Sequence, residues 1–183
     1  KAEEYFAKAL KLDPDDARKR TALAITHLAG GKGEAAIGEL QDIAAADSGA
    51  TADLALISAH LRARDYAKAL AAIDKLEAKQ PDKPLAANLR GRVLLAQKDT
   101  AGARKSFERA LSIDPGYFAA AASLAQLDLA DKKPDDAKKR FEALLAKDPK
   151  NTQALLALAQ LAANQKAPKE EVVEQMERYK LTT

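Results

Sequence analysis

Ala103-Arg-Lys-Ser-Phe107-Glu-Arg-Ala110-Leu-Ser-Ile-Asp114-Pro115 is the stretch that decides the fold. Its residues Ala103, Phe107 and Ala110 recur at the spacing of one face of an α-helix. It stops at a proline, which disfavours helical geometry in the residue before it. The same grammar returns from Phe6 to Pro14, from Phe141 to Pro149 and from Ile73 to Pro81, with a degenerate version from Leu40 to Ser48. The bulky residues Phe6, Leu40, Ile73, Phe107 and Phe141 stand 34, 33, 34 and 34 residues apart. A second string, Leu124-Ala-Gln-Leu with Pro134 after it, returns 34 residues on as Leu158-Ala-Gln-Leu with Pro168 after it. A period of this size marks a stack of small supersecondary units.

Each unit reads as two helices. Leu89, Val93 and Leu94, with Gly91 among them, give helical spacing to the half that precedes Ala103. Turn signals separate the halves: Gly30-Gly31-Lys32-Gly33, Arg64-Asp65, Lys98-Asp99, Lys132-Lys133-Pro134 and Ala167-Pro168. Asp13-Pro14, Gln80-Pro81, Asp114-Pro115 and Asp148-Pro149 separate the units. Acidic pairs after or beside a proline, Asp15-Asp16 and Asp135-Asp136, suit the positive end of the next helix dipole. No strand pattern survives this division. The composition agrees: 47% apolar residues, 31% charged and only 4% aromatic across 183 residues, a balance suited to close-packed helices rather than to a β-sandwich.

The second-helix pattern, small-x3-bulky-x2-small-x4-Pro, resembles the tetratricopeptide signature. Ala2, Phe6, Ala9 and Pro14 match it, as do Ala103, Phe107, Ala110 and Pro115. Ala137, Phe141, Leu144 and Pro149 are similar, as are Ala69, Ile73, Leu76 and Pro81; Ala36, Leu40, Ile43 and Ser48 match least. In the first helices Gly91, Ala24, Ala125 and Ala159 look like the family's small packing residue. No tryptophan opens any repeat, and His27, His60 and Asp128 stand where the family usually has a large apolar residue. The resemblance covers the whole chain and implies an all-α, right-handed superhelical solenoid of helix-turn-helix repeats. Its parts are a lone second helix at 1–14, helix pairs at 15–48, 49–82, 83–116 and 117–150, and a degenerate last pair at 151–183. In that last pair Glu171 and Gln175 replace the small and bulky residues, and Val172, Met176 and Tyr179 are expected to pack instead. The chain opens at Lys1 in mid-pattern, so it is expected to be a segment of a longer protein with one uncapped end through which copies could associate.

Chemistry for catalysis is sparse. With no cysteine, disulfides, zinc-thiolate sites and thiol catalysis are excluded. His27 and His60 are the only candidate acid–base pair, and they occupy equivalent places one hairpin apart, about 10 Å at ordinary helix packing distances. That is too far to share a metal, and both are expected to pack within their own hairpins. Gly30-Gly31-Lys32-Gly33 lies between two helices, where a phosphate loop would follow a strand. No Ser/His/Asp set and no HExxH motif occur. The sequence therefore predicts no enzyme, no cofactor and no metal. Net charge is +3, and the basic clusters Arg18-Lys19-Arg20 and Lys138-Lys139-Arg140 are interrupted by the acidic pairs beside them. That is the pattern of a solvated helix face rather than a phosphate-binding stripe, so no nucleic-acid partner is expected. The chain also has no apolar run long enough to span a membrane.

The resemblance implies instead a protein-interaction scaffold whose first helices line a concave face. Residues at helical spacing on those helices are Ser58 with Arg62, Asn88 with Arg92, Gln126, and Gln160 with Asn164, accompanied by Leu28, Leu61, Leu95 and Leu129. These seven polar residues are the expected contacts for a protein or peptide segment. They do not resemble the lysine-and-asparagine clamp of co-chaperone members of the family. The alanine-rich style is similar to the long tetratricopeptide lipoproteins that accompany bacterial exosortase (PEP-CTERM) systems. That likeness implies the periplasmic side of a bacterial envelope and a role in exopolysaccharide export or surface-protein sorting. A self-assembling structural array and a nucleic-acid-binding helical repeat are the alternative functions.

Overall fold

A computed structural model describes residues 2–164. Ten α-helices run through them: α1 (Ala2–Leu12), α2 (Ala17–Ala29), α3 (Gly33–Ala46), α4 (Thr51–Arg62), α5 (Tyr66–Lys79), α6 (Leu85–Ala96), α7 (Thr100–Ile113), α8 (Phe118–Ala130), α9 (Pro134–Lys147) and α10 (Thr152–Asn164). Every described helix falls inside its predicted half-repeat, and there is no strand among the described residues. The chain divides into two compact units between Pro81 and Asp82. The first holds α1 and the hairpins α2–α3 and α4–α5. The second holds the hairpins α6–α7 and α8–α9, followed by α10. The expectations for Ala167-Pro168, Glu171, Val172, Gln175, Met176 and Tyr179 lie outside the described residues.

The local signals explain where the helices begin and end. Asp16 caps α2 by accepting hydrogen bonds from the Arg18 and Lys19 amides; Asp65 caps α5 through Lys68 and Asp99 caps α7 through Gly102. Asp114 and Asp148, each before a proline, are extended and end α7 and α9. Inside each hairpin the turn uses one left-handed residue: Gly31 (φ 84°), Arg64 (56°), Lys98 (65°) and Lys132 (59°). The next amide in each case bonds a carbonyl in the last turn of the first helix, Lys32 to His27, Asp65 to His60, Asp99 to Leu94 and Lys133 to Asp128. Four turns of different sequence thus share one Schellman-type closure.

Packing follows the repeat residues. Ala24, Ala36, Leu40, Ala69, Ile73, Ala103, Phe107 and Ala137 have no exposed surface, and Phe141 very little. In the second unit Phe107 lies against the backbone of Gly91, so closely that a Cβ there would sit 2.5 Å from a ring carbon. Phe141 stacks on Phe118 at 6.0 Å between ring centres. α1 buries no residue completely and leaves Tyr5 and Leu12 exposed. Its Phe6 is half-buried, edge-on to Tyr5, so this copy of the bulky residue does not fill a layer as Phe107 does.

Candidate functional site

The seven predicted contact residues fall on the first helices, where helical spacing put them, but they are not alike. Ser58 and Arg62 are exposed one turn apart on α4 of the first unit. In the second unit Arg92 on α6, Gln126 on α8 and Gln160 on α10 are all exposed at one place in the repeat, each 34 residues after the last. Asn164 is exposed one turn beyond Gln160. Asn88, one turn before Arg92, departs from the expected exposed row: it is 5% exposed. Its Oδ1 is the buried side-chain polar atom that finds no hydrogen-bond partner among the described residues. Such an orphan acceptor costs roughly 1–3 kcal/mol and calls for a donor. Burial pushes the Tyr117 phenol above its ordinary pKa, with the Arg92 charge pulling the other way. Tyr117 also packs on the core of this unit, which places an aromatic ring within electrostatic reach of Arg92. Of the accompanying leucines, Leu28 and Leu95 pack against core clusters while Leu129 is 43% exposed.

The place held by His27, His60 and Asp128 carries a second pattern that the sequence did not reveal. Asp128 on α8 receives Arg104 of α7 and Arg140 of α9, and Arg104 reaches on to Asp131. Burial raises the Asp128 carboxyl, but hydrogen bonds and charge from the two arginines outweigh it and hold the group below the ordinary aspartate range. Arg104 is raised in turn, first by its bond to Asp128. His27 repeats this arrangement with acidic neighbours: Nε2 lies 3.3 Å from Glu3 of α1 and Nδ1 lies 3.6 Å from Glu39 of α3. Glu3, also bonded to Lys32, is held below its ordinary value chiefly by that lysine. His27 thus meets Glu39 of its own α2–α3 hairpin and reaches beyond that hairpin to Glu3 of the neighbouring α1. His60 is 5% exposed, and burial is the main cause that lowers its pKa.

A third charged centre closes the weakest repeat. Lys79, in the last turn of α5, donates to the Ala44, Asp47 and Gly49 carbonyls and pairs with buried Asp53 of α4. It satisfies carbonyls at the C-terminus of α3, where Ser48 stands instead of the usual proline. Sequence reasoning missed these centres because each joins residues on different helices, far apart in the chain and individually ordinary. Among the described residues no group of three His, Asp or Glu side chains could hold a metal ion, and no helix is long and apolar enough to cross a membrane.

Two tetratricopeptide repeat family models match the chain, one over residues 1–51 and 54–118, the other over 94–161 and 128–170. The chain belongs to the tetratricopeptide repeat family. No curated protein matches it. Among solved structures it is similar to the MamA protein, with 25% identity and a TM-score of 0.59 over 82% of this chain and 89% of that one. A thermophilic tetratricopeptide protein of Thermus thermophilus gives 21% identity and 0.64 over 88% and 89%. Yeast Tom70 gives 19% identity and 0.76 over 97% of this chain, which spans 38% of Tom70. Tetratricopeptide repeats generally bind protein or peptide partners along extended surfaces of the stack, and this chain has the fold of such a scaffold.

Proposed function

We propose that the chain is a non-enzymatic protein-interaction scaffold that holds an extended peptide segment along the exposed row of its first helices. The observation that carries this reading is in the second unit. Arg92, Gln126 and Gln160 repeat at one register on α6, α8 and α10, all exposed, and the orphaned Asn88 Oδ1 lies one turn from Arg92. Amide and guanidinium side chains at a fixed period suit a peptide backbone, whose own donors and acceptors recur at a fixed period. Arg92 would favour an acidic or carboxylate-bearing residue of the segment. Selection of a random peptide display library on the purified protein tests this. Enriched peptides should carry an acidic residue, and Arg92→Ala should weaken them at least tenfold while Lys105→Ala on α7 leaves them unchanged.

The finer reading follows from the likeness to exosortase-associated lipoproteins: action on the periplasmic side of a bacterial envelope, in exopolysaccharide export or surface-protein sorting. Fractionation of cells expressing the natural full-length protein tests it, since recovery in the cytosolic fraction alone would overturn it.

A further inference from the structure

The first unit contains a groove of about 350 Å³ between α3 and α5, on the side of α4 that carries Asp53, Leu56 and His60. These three are spaced along one face of α4, so they form a floor with a charge at one end and an imidazole at the other. The walls are mostly methyl groups, from Ala44 and Ala45 on α3 and Ala71, Ala72 and Ala78 on α5, with Gln41 and Lys75 the polar side chains among them.

The two ends differ chemically. At the Asp53 end the carboxylate is paired with Lys79, whose ammonium also meets three carbonyls, so that end is satisfied. At the other end the His60 imidazole, on a residue 5% exposed, makes no hydrogen bond to any described residue. The reason is visible by comparison with its equivalents. His27 is flanked by Glu3 and Glu39, and Asp128 by Arg104 and Arg140, one side chain from each neighbouring second helix. Counted from the small residue that opens each second helix, the same two places beside His60 hold Ile37 of α3 and Ala72 of α5. Neither can bond an imidazole, and alanine leaves open the volume that a long side chain would fill. Lys68, on the rim near His60, supplies positive charge, shared with Asp65 at 3.1 Å.

We infer that this groove binds a small amphipathic carboxylate, its head group on His60 beside Lys68 and its apolar tail over Leu56 and the alanines toward Asp53. The head supplies to His60 what Glu3 and Glu39 supply to His27. The tail covers methyl groups that face solvent, in a groove within the range of ligand-sized sites. Lys68 and Lys75 outnumber the Asp65 carboxylate that also faces His60 and set the sign of the head group, and the satisfied Lys79–Asp53 centre leaves the far end to the tail. The site lies away from the row on the first helices and does not depend on the peptide-binding reading.

Sodium decanoate is the probe and decanol its uncharged control. The chain has two histidines, so the imidazole NMR resonances of His27 report any general effect and those of His60 the site. Decanoate should shift His60 in a saturable manner and leave His27 in place. Calorimetry should show at least tenfold weaker binding of decanol, and at least tenfold weaker binding of decanoate to His60→Leu. Leucine is a fair replacement because Leu94 holds the equivalent place on α6. Ala72→Leu, which fills the groove and keeps the imidazole, should also weaken decanoate at least tenfold, and it decides the matter if His60→Leu does not fold. A His60 signal indifferent to decanoate, equal binding of decanol, or full binding by either variant overturns the proposal. So does a His60 signal that moves with protein concentration alone, which would put a second copy of the chain in the groove.

Discussion

At the residue scale, Gly91 and Phe107 show why a repeat position can be read yet not evaluated by propensity alone. A glycine inside a helix costs roughly 0.5–1 kcal/mol relative to alanine, so Gly91→Ala would stabilise an open helix. Here the added methyl meets the Phe107 ring, 2.5 Å from its nearest carbon, and the ring is fully buried. Crowding of this kind costs about 1–3 kcal/mol, so Gly91→Ala is expected to lower the stability of the second unit; a raised melting temperature in a circular-dichroism melt would show that the ring yields freely. Phe107→Ala should cost about 3–5 kcal/mol, and an unchanged melt would remove Phe107 from the core. Asp128 offers a test in pH. Its carboxyl is held below the ordinary aspartate value of about 3.9. Its contribution is therefore complete above that value and lost as pH falls through the lower folded value. Asp128→Asn should cost about 2 kcal/mol at neutral pH, from the loss of charge-assisted bonds to two arginines. That deficit should shrink below about pH 4. Denaturant titrations at both pH values check it, and a pH-independent deficit would mean that the carboxylate charge contributes nothing.

At the element scale, the helices were legible because their punctuation is local. Asp16, Asp65 and Asp99 cap the helices they precede, and the aspartates before Pro115 and Pro149 end the helices they follow. The left-handed turn residue was only half legible. Gly31 announces itself, whereas Arg64, Lys98 and Lys132 adopt the same φ with a Cβ in place. That conformation costs a non-glycine residue roughly 1–2 kcal/mol, partly offset by the entropy glycine would lose on folding. Arg64→Gly should accordingly stabilise the first unit by about 0.5 kcal/mol. Urea titration checks the sign, and destabilisation would mean that the Arg64 side chain contributes more than its backbone costs. The charged centres were illegible for a different reason. Lys79 with Asp53, His27 with its two glutamates and Asp128 with its two arginines each depend on which helix faces bring residues together across a layer. A one-dimensional charge pattern shows only alternating signs at those places, the signature of a solvated surface.

At the scale of the whole molecule, the repeat period carried both the fold class and the expectation of a binding scaffold, because stacked hairpins are what such a period can build. The row of contacts was legible as positions and only partly as properties. Arg92, Gln126 and Gln160 are exposed at one register as their spacing required, whereas Asn88 is buried and lacks a partner for Oδ1. Burial at that place depends on what packs beside α6, and no pattern within α6 encodes it. If the chain is a scaffold, this row of first-helix side chains holds a peptide. Fluorescence polarisation with a labelled peptide from the display selection tests it most directly, measured on the wild-type protein, Arg92→Ala, Gln126→Ala and Lys105→Ala. Affinity should fall about tenfold for Arg92→Ala, a charge-assisted contact worth about 1.5 kcal/mol or more, less for Gln126→Ala, and not at all for Lys105→Ala. Equal affinities in all four proteins, or a loss confined to Lys105→Ala, would contradict it.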